Sequence, residues 1–381
     1  MTSYLLLVFC PIGWISCYLG LSSIWVFWLN FAALLPLANL LGDLTEEVAD
    51  GLHSQVLGGL LNASFGNAVE MILTWKSVSH GLVDVAKNSL LGSILSNLLL
   101  VLGTSFFFGG IGVKGKEQVF NETGPITSTS MLLLGCMAFA IPSCFEYTNL
   151  ASNLLLSRMT AVALLVAYGA FVYFQTYTHI AVFEDNESEE SLSPNQATIS
   201  DVNTELLVSP LSGRVHARHS AAHIPLKCSL VKLFITTLLV SLNSECLIGS
   251  ITGLVSQSGL SSAFIGVVLL PVVGNACEHV SAVRMCIRDR PALAIAIAVG
   301  SSTQIALFVL PLSVVLAWLN DVPMDLDLGV MNTVMLVLSV IIVFSIVVDG
   351  KVNWLEGLLL QVVYFVLAVA FWLLPEKVII V

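Results

Sequence analysis

The chain has 381 residues, of which 57% are hydrophobic and only 10% carry a charged side chain. Soluble domains carry about 25% charged residues, so this composition excludes a soluble globular protein and predicts a membrane protein. The formal net charge of −11 argues against nucleic acid as a partner.

Hydropathy divides the chain into apolar runs, and a run of about 18 or more residues can cross a bilayer as a helix. We predict eleven spans and therefore an all-α polytopic membrane protein. Residues 127–142 form a short span, and without it the count would be ten. In chain order the predicted spans are 4–21, 24–49, 55–79, 88–110, 127–142, 154–177, 228–256, 261–287, 291–318, 329–348 and 354–374.

The first span begins in the N-terminal sequence MTSYLLLVFCPIGWISCYLG. This segment has no basic leader and no small-residue cleavage motif, so it predicts a membrane helix and not a cleaved signal peptide.

The chain then divides into four regions. They are the first helix (1–22), a first repeat half with spans two to six (23–177), an acidic linker (178–226) and a second half with spans seven to eleven (227–381).

Acidic residues inside the spans or near their ends are the first functional signal. Glu46 and Glu47 lie near the end of the second span, and Glu70 lies within the third. A carboxylate at bilayer depth costs about 2.5–3.5 kcal/mol to insert, so it is by default a functional residue. Gly66 and Asn67 precede Glu70, and a glycine here weakens the helix and can free backbone carbonyls to line a cavity.

The linker predicts a polar surface segment between the sixth and seventh spans. It either gathers cations or is only a solvated connection. Its acidic residues are Glu184, Asp185, Glu187, Glu189, Glu190, Asp201 and Glu205.

With eleven spans, ten of the 14 Lys and Arg residues fall on the side of the N-terminus. The positive-inside rule then predicts a cytosolic N-terminus and linker and a C-terminus on the opposite side.

A second copy of the third-span motif lies in the eighth span. Gly66-Asn67-Ala68-x-Glu70 recurs as Gly274-Asn275-Ala276-x-Glu278, at an offset of 208 residues. Five spans separate the two copies. Because that number is odd, the copies enter the membrane in opposite directions, as in the inverted repeats of secondary transporters.

A second match supports the duplication. Gly92-Ser93 in the fourth span and Gly300-Ser301 in the ninth share the same offset of 208 residues. Ser96 then stands opposite Gln304, so both copies place a polar side chain at this position. We predict a fold of two inverted five-helix repeats and an additional N-terminal helix.

Two carboxylates that face each other at bilayer depth require positive charge between them, from a divalent cation or from shared protons. Calcium takes about six to eight oxygen ligands, which carboxylates, the amides of Asn67 and Asn275 and freed carbonyls can supply. Protons compete for the same carboxylates. A site that holds either species, exposed to each side in turn, is an antiporter. The alternative is that Gly and Asn only allow close helix packing.

Other candidates have two interpretations each. His279, which follows Glu278, is either a proton relay or gate or a structural histidine. Glu46, Glu47 and Glu245 lie in the matching second and seventh spans, as ion-path carboxylates or as interfacial charges.

These motifs identify a resemblance to the vacuolar Ca²⁺/H⁺ exchangers of fungi and plants, within the Ca²⁺/cation antiporter superfamily. In order along nearly the whole chain, the matching segments are LLGDLTEEVA, GGLLNASFGNAVE, GSILSNLLLVLG, LNSECLIGSI, PVVGNACEH, GSSTQIALFV and DGKVNWLEG.

The resemblance implies eleven spans, a cytosolic acidic helix after the sixth, and movement of Ca²⁺ from the cytosol into an acidic vacuole in exchange for protons. It implies that Glu70 and Glu278 bind the cation with the flanking Gly and Asn residues, and that His279 is the family's histidine. It also implies that spans one and six slide as a gating unit. Cys277 stands where the family often has Ala, which leaves the choice between Ca²⁺ and Mn²⁺ or Cd²⁺ open.

Three alternatives remain. A membrane-embedded metallohydrolase at Glu278-His279 would need further nitrogen ligands, as in HExxH. A channel would not need two inverted, titrating carboxylates. A Na⁺-coupled exchanger of the same fold differs only weakly in sequence. We therefore predict no enzyme activity and no cofactor, with Ca²⁺ and H⁺ as transported ions, Mn²⁺ as an alternative ion and membrane lipid as the surroundings.

Overall fold

The structure is a computed structural model that describes residues 6–52, 61, 65–112, 117–145, 150–179 and 226–374. Nearly all of the acidic linker, and the helix that the resemblance implies within it, therefore lie outside the described residues. The helices of the first half are α1 (Phe9–Tyr18), α2 (Ser23–Gly51), α3 (Ala68–Ser79), α4 (Val83–Gly112), α5 (Thr123–Phe145) and α6 (Leu150–Tyr173). Those of the second half are α7 (Leu226–Gly249), α8 (Ile251–Ser258), α9 (Ser262–Gly274), α10 (Ala276–Ile287), α11 (Pro291–Leu319), α12 (Val330–Val347) and α13 (Trp354–Leu373).

Within the described residues, 8 helices are long and apolar enough to cross a membrane, and the bent pair α9–α10 makes up to 9. The short predicted span is the 23-residue helix α5, which is long enough to cross. The predicted spans 4–21 and 55–79 extend into residues outside the described part. The predicted total of eleven therefore stays a prediction, while the all-α membrane architecture is confirmed.

Helices α4 and α11 form the centre of the molecule. The apolar windows of these two helices are 72% and 67% buried, whereas that of α13 is 22% buried. Each central helix contains a π-helical segment, Ser96–Val101 in α4 and Ile305–Val309 in α11. The two halves of the chain thus place equivalent helices, with equivalent irregularities, side by side in the core.

The two halves run through the molecule in opposite directions. α3 ends at Ser79, a few residues before the start of α4. α10 ends near Gln118, which follows the other end of α4, because the Gln118 amide donates a hydrogen bond to the Cys286 carbonyl (2.8 Å). A helix as long as α4 spans about 45 Å at about 1.5 Å per residue. The ends of α3 and α10 therefore lie on opposite sides, as an inverted repeat requires.

Three local features differ from the predicted spans. The predicted span 261–287 is bent by 60° between α9 and α10. The predicted span 228–256 is broken after Gly249, where the Ser250 hydroxyl bonds to the Leu247 carbonyl (2.7 Å) and α8 begins. A short antiparallel pair of strands, β1 (Glu117–Val119) and β2 (Lys351–Asn353), joins two loops on one side of the molecule.

An ion pair fixes the opposite side of the central helix. The Lys87 ammonium on α4 lies 2.8 Å from a carboxylate oxygen of Asp325 and 2.7 Å from the Asp327 carbonyl. Both charged side chains are largely buried, at 15% and 18% exposure. The pair holds the loop between α11 and α12 against α4.

We expect Lys87→Met to lower the free energy of unfolding by about 1–3 kcal/mol, because Asp325 keeps its charge without its cation. Thermal unfolding in detergent micelles measures the loss. Lys351→Met is the matched control, since Lys351 is exposed on β2. Equal stability of the two variants would show that the pair does not stabilise the fold.

Candidate cation site

Two helix breaks, one in each half, define the candidate site. α3 begins after Asn67 (φ −110°, ψ 32°), and α10 begins after Asn275 (φ −88°, ψ 13°). Both helices are 12 residues long and start at the same register of the repeat. Each helix start leaves backbone N–H groups without a partner inside the helix, and the end of α9 at Gly274 leaves carbonyls. Gly66 lies in the turn directly before α3, and Gly274 is the last residue of α9, so both predicted weak points fall outside regular helix or at its end.

Glu70 lies in the first turn of α3 and packs against the break of the other half. Its side chain is 3% exposed. Its Oε1 atom lies 2.7 Å from the position that a Cβ would take on Gly274, so only glycine leaves room for the carboxylate there. Within the described residues this oxygen has no hydrogen-bond partner. Burial of an unpaired carboxylate oxygen is costly, so a cation or a proton at this position would lower the free energy of the site.

Glu278 occupies the equivalent position in the first turn of α10 and is partly buried. The two carboxylates are near enough for the negative charge of Glu278 to act on Glu70. Both follow a helix start, where the helix dipole favours a negative charge. The structure therefore brings together the two glutamates that the repeat predicts.

Hydrogen bonds between the two halves hold the breaks together. The Ser301 hydroxyl of α11 donates to the Asn67 Oδ1 atom (2.9 Å), and the Asn67 Nδ2 atom donates to Gln304 Oε1 (2.6 Å). In the other half, the Asn275 Nδ2 atom donates to the Ser93 carbonyl of α4 (3.0 Å). Each asparagine thus contacts the central helix of the opposite repeat, at equivalent positions. These hydrogen bonds position each Gly-Asn-Ala-x-Glu motif against the central helix of the opposite repeat.

Three site residues did not appear among the predicted ones. Ser93 and Ser301 contact the asparagines, and the Asn97 amide donates to the Ser301 hydroxyl (3.1 Å). The sequence contains a signal for the two serines, because each directly follows the glycine that is repeated in the two central helices. Asn97 has no polar counterpart in the other half, where Ile305 stands. The predicted residue Ser96 is buried at the start of the π-helical segment of α4.

His279 lies beside the site on α10 and is partly buried. Its ring nitrogen Nε2 is 2.9 Å from the Thr104 hydroxyl of α4. A cavity of about 450 Å³ opens next to it and is also lined by Phe108, Arg284 and Arg288. The neighbouring Cys277 directs its sulfur toward Gly42 of α2.

The other predicted acidic residues lie near opposite ends of α7. Glu46 and Glu47 belong to α2, and Glu245 belongs to α7 itself. Glu47 accepts a hydrogen bond from the Ser229 hydroxyl near the start of α7, and the adjacent Glu46 is partly buried. Glu245 is exposed near the end of α7, where it pairs with Lys76 of α3 (2.7 Å) and with His80, which directly follows α3 (2.8 Å). Sixteen residues of helix separate these two ends, which is about 24 Å. The structure therefore does not gather Glu46, Glu47 and Glu245 into one cluster.

The donor set of the site is oxygen-rich. Within the part of the chain that is described, no group of three or more His, Cys, Asp or Glu side chains is arranged to hold a metal ion. A cation at the breaks would take its ligands from the two carboxylates, the asparagine amides, the serine hydroxyls and the carbonyls freed by the breaks. Hard cations such as Ca²⁺ prefer such oxygen ligands, and protons compete for the carboxylates.

Comparison with known proteins gives a consistent result. The family model described as sodium/calcium exchanger protein matches residues 22–177 and 228–373. The chain is 38% identical to a protein of Schizosaccharomyces pombe named vacuolar calcium ion transporter, over 99% of this chain and 86% of that protein. It is 37% identical to a Ca(2+)/H(+) antiporter of Aphanothece halophytica, over 97% of this chain and 96% of that protein. The solved structure of native YfkE superposes with a TM-score of 0.79 at 30% identity, covering 98% of this chain and 100% of YfkE.

Proposed function

Because the chain belongs to the sodium/calcium exchanger protein family, we propose that it is a secondary active antiporter that exchanges Ca²⁺ for H⁺ across a membrane. The observation that carries the proposal is the position of the Glu70 carboxylate, which is buried against the Gly274 break of the opposite repeat and close to Glu278. Relatives named Ca²⁺/H⁺ antiporters and vacuolar calcium ion transporters support the choice of ions.

The site chemistry explains why one site serves both ions. Two nearby carboxylates in a buried site cannot both stay charged without a cation, because each would be desolvated beside a like charge. One Ca²⁺ neutralises both carboxylates, and two protons do the same. Binding of one species therefore displaces the other, and this competition couples the two flows.

The inverted repeat supports alternating access. The two halves are equivalent in sequence and run in opposite directions, so an arrangement that exposes one break has a counterpart that exposes the other. In the present arrangement Glu70 is 3% exposed and Glu278 is partly buried, and the cavity lined by the neighbouring His279 extends to Arg288, just beyond the end of α10. We infer that ions reach this arrangement from the side on which α10 ends.

We further propose that the protein resides in a vacuolar membrane. Relatives from fungi and plants that carry this location in their names support the proposal. The distribution of Lys and Arg favours a cytosolic N-terminus and linker and a lumenal C-terminus. With that orientation, Ca²⁺ moves from the cytosol into an acidic lumen as protons move out.

Sealed vesicles that contain the purified protein test the proposal. We expect vesicles with an acidic lumen to take up Ca²⁺, because outward proton flow drives inward cation flow. Collapsing the pH gradient with a protonophore should stop this uptake. Uptake that persists without a pH gradient but requires Na⁺ on the opposite side would reject proton coupling and favour the Na⁺-coupled alternative. Competition with Mn²⁺ in the same assay measures ion preference.

A further inference from the structure

The cavity of about 450 Å³ beside His279 is lined by Phe108 of α4 and by one face of α10. The residues that α10 and its end contribute at helical spacing are Val280, Val283, Arg284, Ile287 and Arg288. Positions three, four, seven and eight residues apart share one face of a helix. The opposite face of α10 is buried in the molecule and carries Ser281, Ala282, Met285 and Cys286. The described residues thus cover one face of α10 and leave the cavity face open.

Two arginines lie within this open face. Arg284 is in the last turn of α10 and Arg288 directly follows the helix, so the two lie about one turn apart. Among the described residues, neither guanidinium group forms an ion pair with a carboxylate. The adjacent Asp289 instead accepts a hydrogen bond from the Gln118 amide (2.8 Å). Charged side chains in membrane helices are usually paired, so an anion from outside the described residues would complete this face.

The remaining walls of the cavity are apolar and open to the surroundings. The exposed fraction is 51% for Phe108, 51% for Val280 and 57% for Ile287. Within the described residues, no carboxylate lines the cavity, so its chemistry does not suit a metal cation. A free phosphate would pair with the arginines but leave the apolar walls without a partner. A molecule with one anionic phosphate and an apolar chain matches both parts of the lining.

We propose that this cavity binds one anionic phospholipid, with its phosphate between Arg284 and Arg288 and an acyl chain along the apolar wall. A guanidinium group offers phosphate oxygens two parallel N–H donors, which makes arginine a strong phosphate ligand. The side on which α10 ends is the cytosolic side in the proposed orientation, and anionic lipids are abundant in the cytosolic leaflet. Basic pockets between membrane helices on that side bind such headgroups.

Lipid binding can be measured without transport. The purified full chain is incubated in detergent with phosphatidylinositol or phosphatidylcholine and examined by native mass spectrometry. We expect one phosphatidylinositol per chain on the wild type. Arg284→Gln and Arg288→Gln should each weaken its binding at least about tenfold, because each removes one charged donor group. Lys232→Gln is the matched control, since it removes an exposed positive charge near the linker end of α7 and should bind lipid as the wild type does.

Glycerophosphoinositol, which carries the same headgroup without acyl chains, separates a lipid from a free phosphate ester. It should not displace the lipid at equal concentration, and equal displacement would overturn the proposal. Equal binding of phosphatidylcholine would also overturn it, as would unchanged binding in both arginine variants when thermal unfolding shows them folded. A changed oligomer mass in these variants without loss of lipid would show that this face contacts a second copy of the chain instead.

A consequence for transport rests on the proposed function. Ca²⁺ that approaches from the side on which α10 ends meets two guanidinium groups, and a bound phosphate offsets their repulsion. We expect wild type and Lys232→Gln to take up Ca²⁺ several-fold faster when phosphatidylcholine vesicles also contain phosphatidylinositol. An equal gain in the Arg284→Gln, Arg288→Gln double variant would reduce the effect to general surface charge and overturn this consequence. Absence of uptake in both lipid mixtures would instead reject the proposed function, and the mass spectra would still report the lipid site.

Discussion

Glu70→Gln and Glu278→Gln are each expected to abolish Ca²⁺ uptake driven by a pH gradient, although both variants insert into the membrane and fold. Glutamine keeps the size of glutamate but removes the negative charge and the ability to bind a proton. A hydrogen bond or contact to a charged group contributes about 1.5–3 kcal/mol, so the loss of one carboxylate should weaken cation binding by at least about tenfold. Because the same group carries the exchanged proton, coupling is lost together with affinity.

The matched control is Glu117→Gln, which changes an exposed glutamate on β1 in the same way. Its uptake should equal that of the wild type. Size-exclusion profiles and thermal unfolding of the purified proteins show whether each variant is folded. Near-normal uptake by a folded Glu70→Gln or Glu278→Gln protein would reject the site of paired glutamates.

Gly274→Ala is expected to reduce uptake at least about tenfold while the fold is kept, since a displaced carboxylate loses more than about 1.4 kcal/mol of cation binding. The added Cβ would lie 2.7 Å from the Glu70 Oε1 atom, which is too close for two non-bonded atoms. The far end of a glutamate side chain moves more easily than a buried backbone. Glu70 should therefore shift away from the break, and the site should change without unfolding.

Gly169→Ala provides the comparison for this variant, because Gly169 lies on the exposed face of α6 and a Cβ there would meet no atom of the described residues within 4 Å. Its uptake and its stability should both be unchanged. If the purified Gly274→Ala protein is unfolded or strongly destabilised, its loss of uptake would follow from the loss of the fold. That result would contradict the account, since it would show that glycine is needed for folding and not for the position of Glu70.

Much of the fold could be predicted from hydropathy and from the repeat. Long apolar runs predict membrane helices because a bilayer core tolerates only backbone whose polar groups are bonded within the segment. The offset of 208 residues correctly related α3 to α10 and α4 to α11, including their directions. The break after Gly249 and the strand pair β1–β2 were missed. Both depend on single local hydrogen bonds or on pairing between distant loops, which hydropathy does not contain.

The candidate site could be predicted in part. The two glutamates and asparagines stood out because each sequence copy supports the other. Asn97 could not be assigned in the same way, since Ile305 stands at the equivalent position and the contribution of Asn97 depends on how α4 and α11 cross each other. Glu245 lies in the predicted span that matches the span of Glu46 and Glu47, which made it a candidate beside them. The structure instead places it with Lys76 and His80 at the far end of α7, where charge pairing and not repeat symmetry decides its partners.

The most direct test of the central claim is the reverse reaction in vesicles that start at the same pH on both sides. The vesicles are loaded with Ca²⁺ and a pH-sensitive dye, and are then diluted into buffer free of Ca²⁺ and Na⁺. Antiport at one shared site predicts that the lumen acidifies as Ca²⁺ leaves, and that vesicles with Glu70→Gln show neither change. Ca²⁺ efflux without acidification, or efflux that begins only when Na⁺ is added outside, would contradict it.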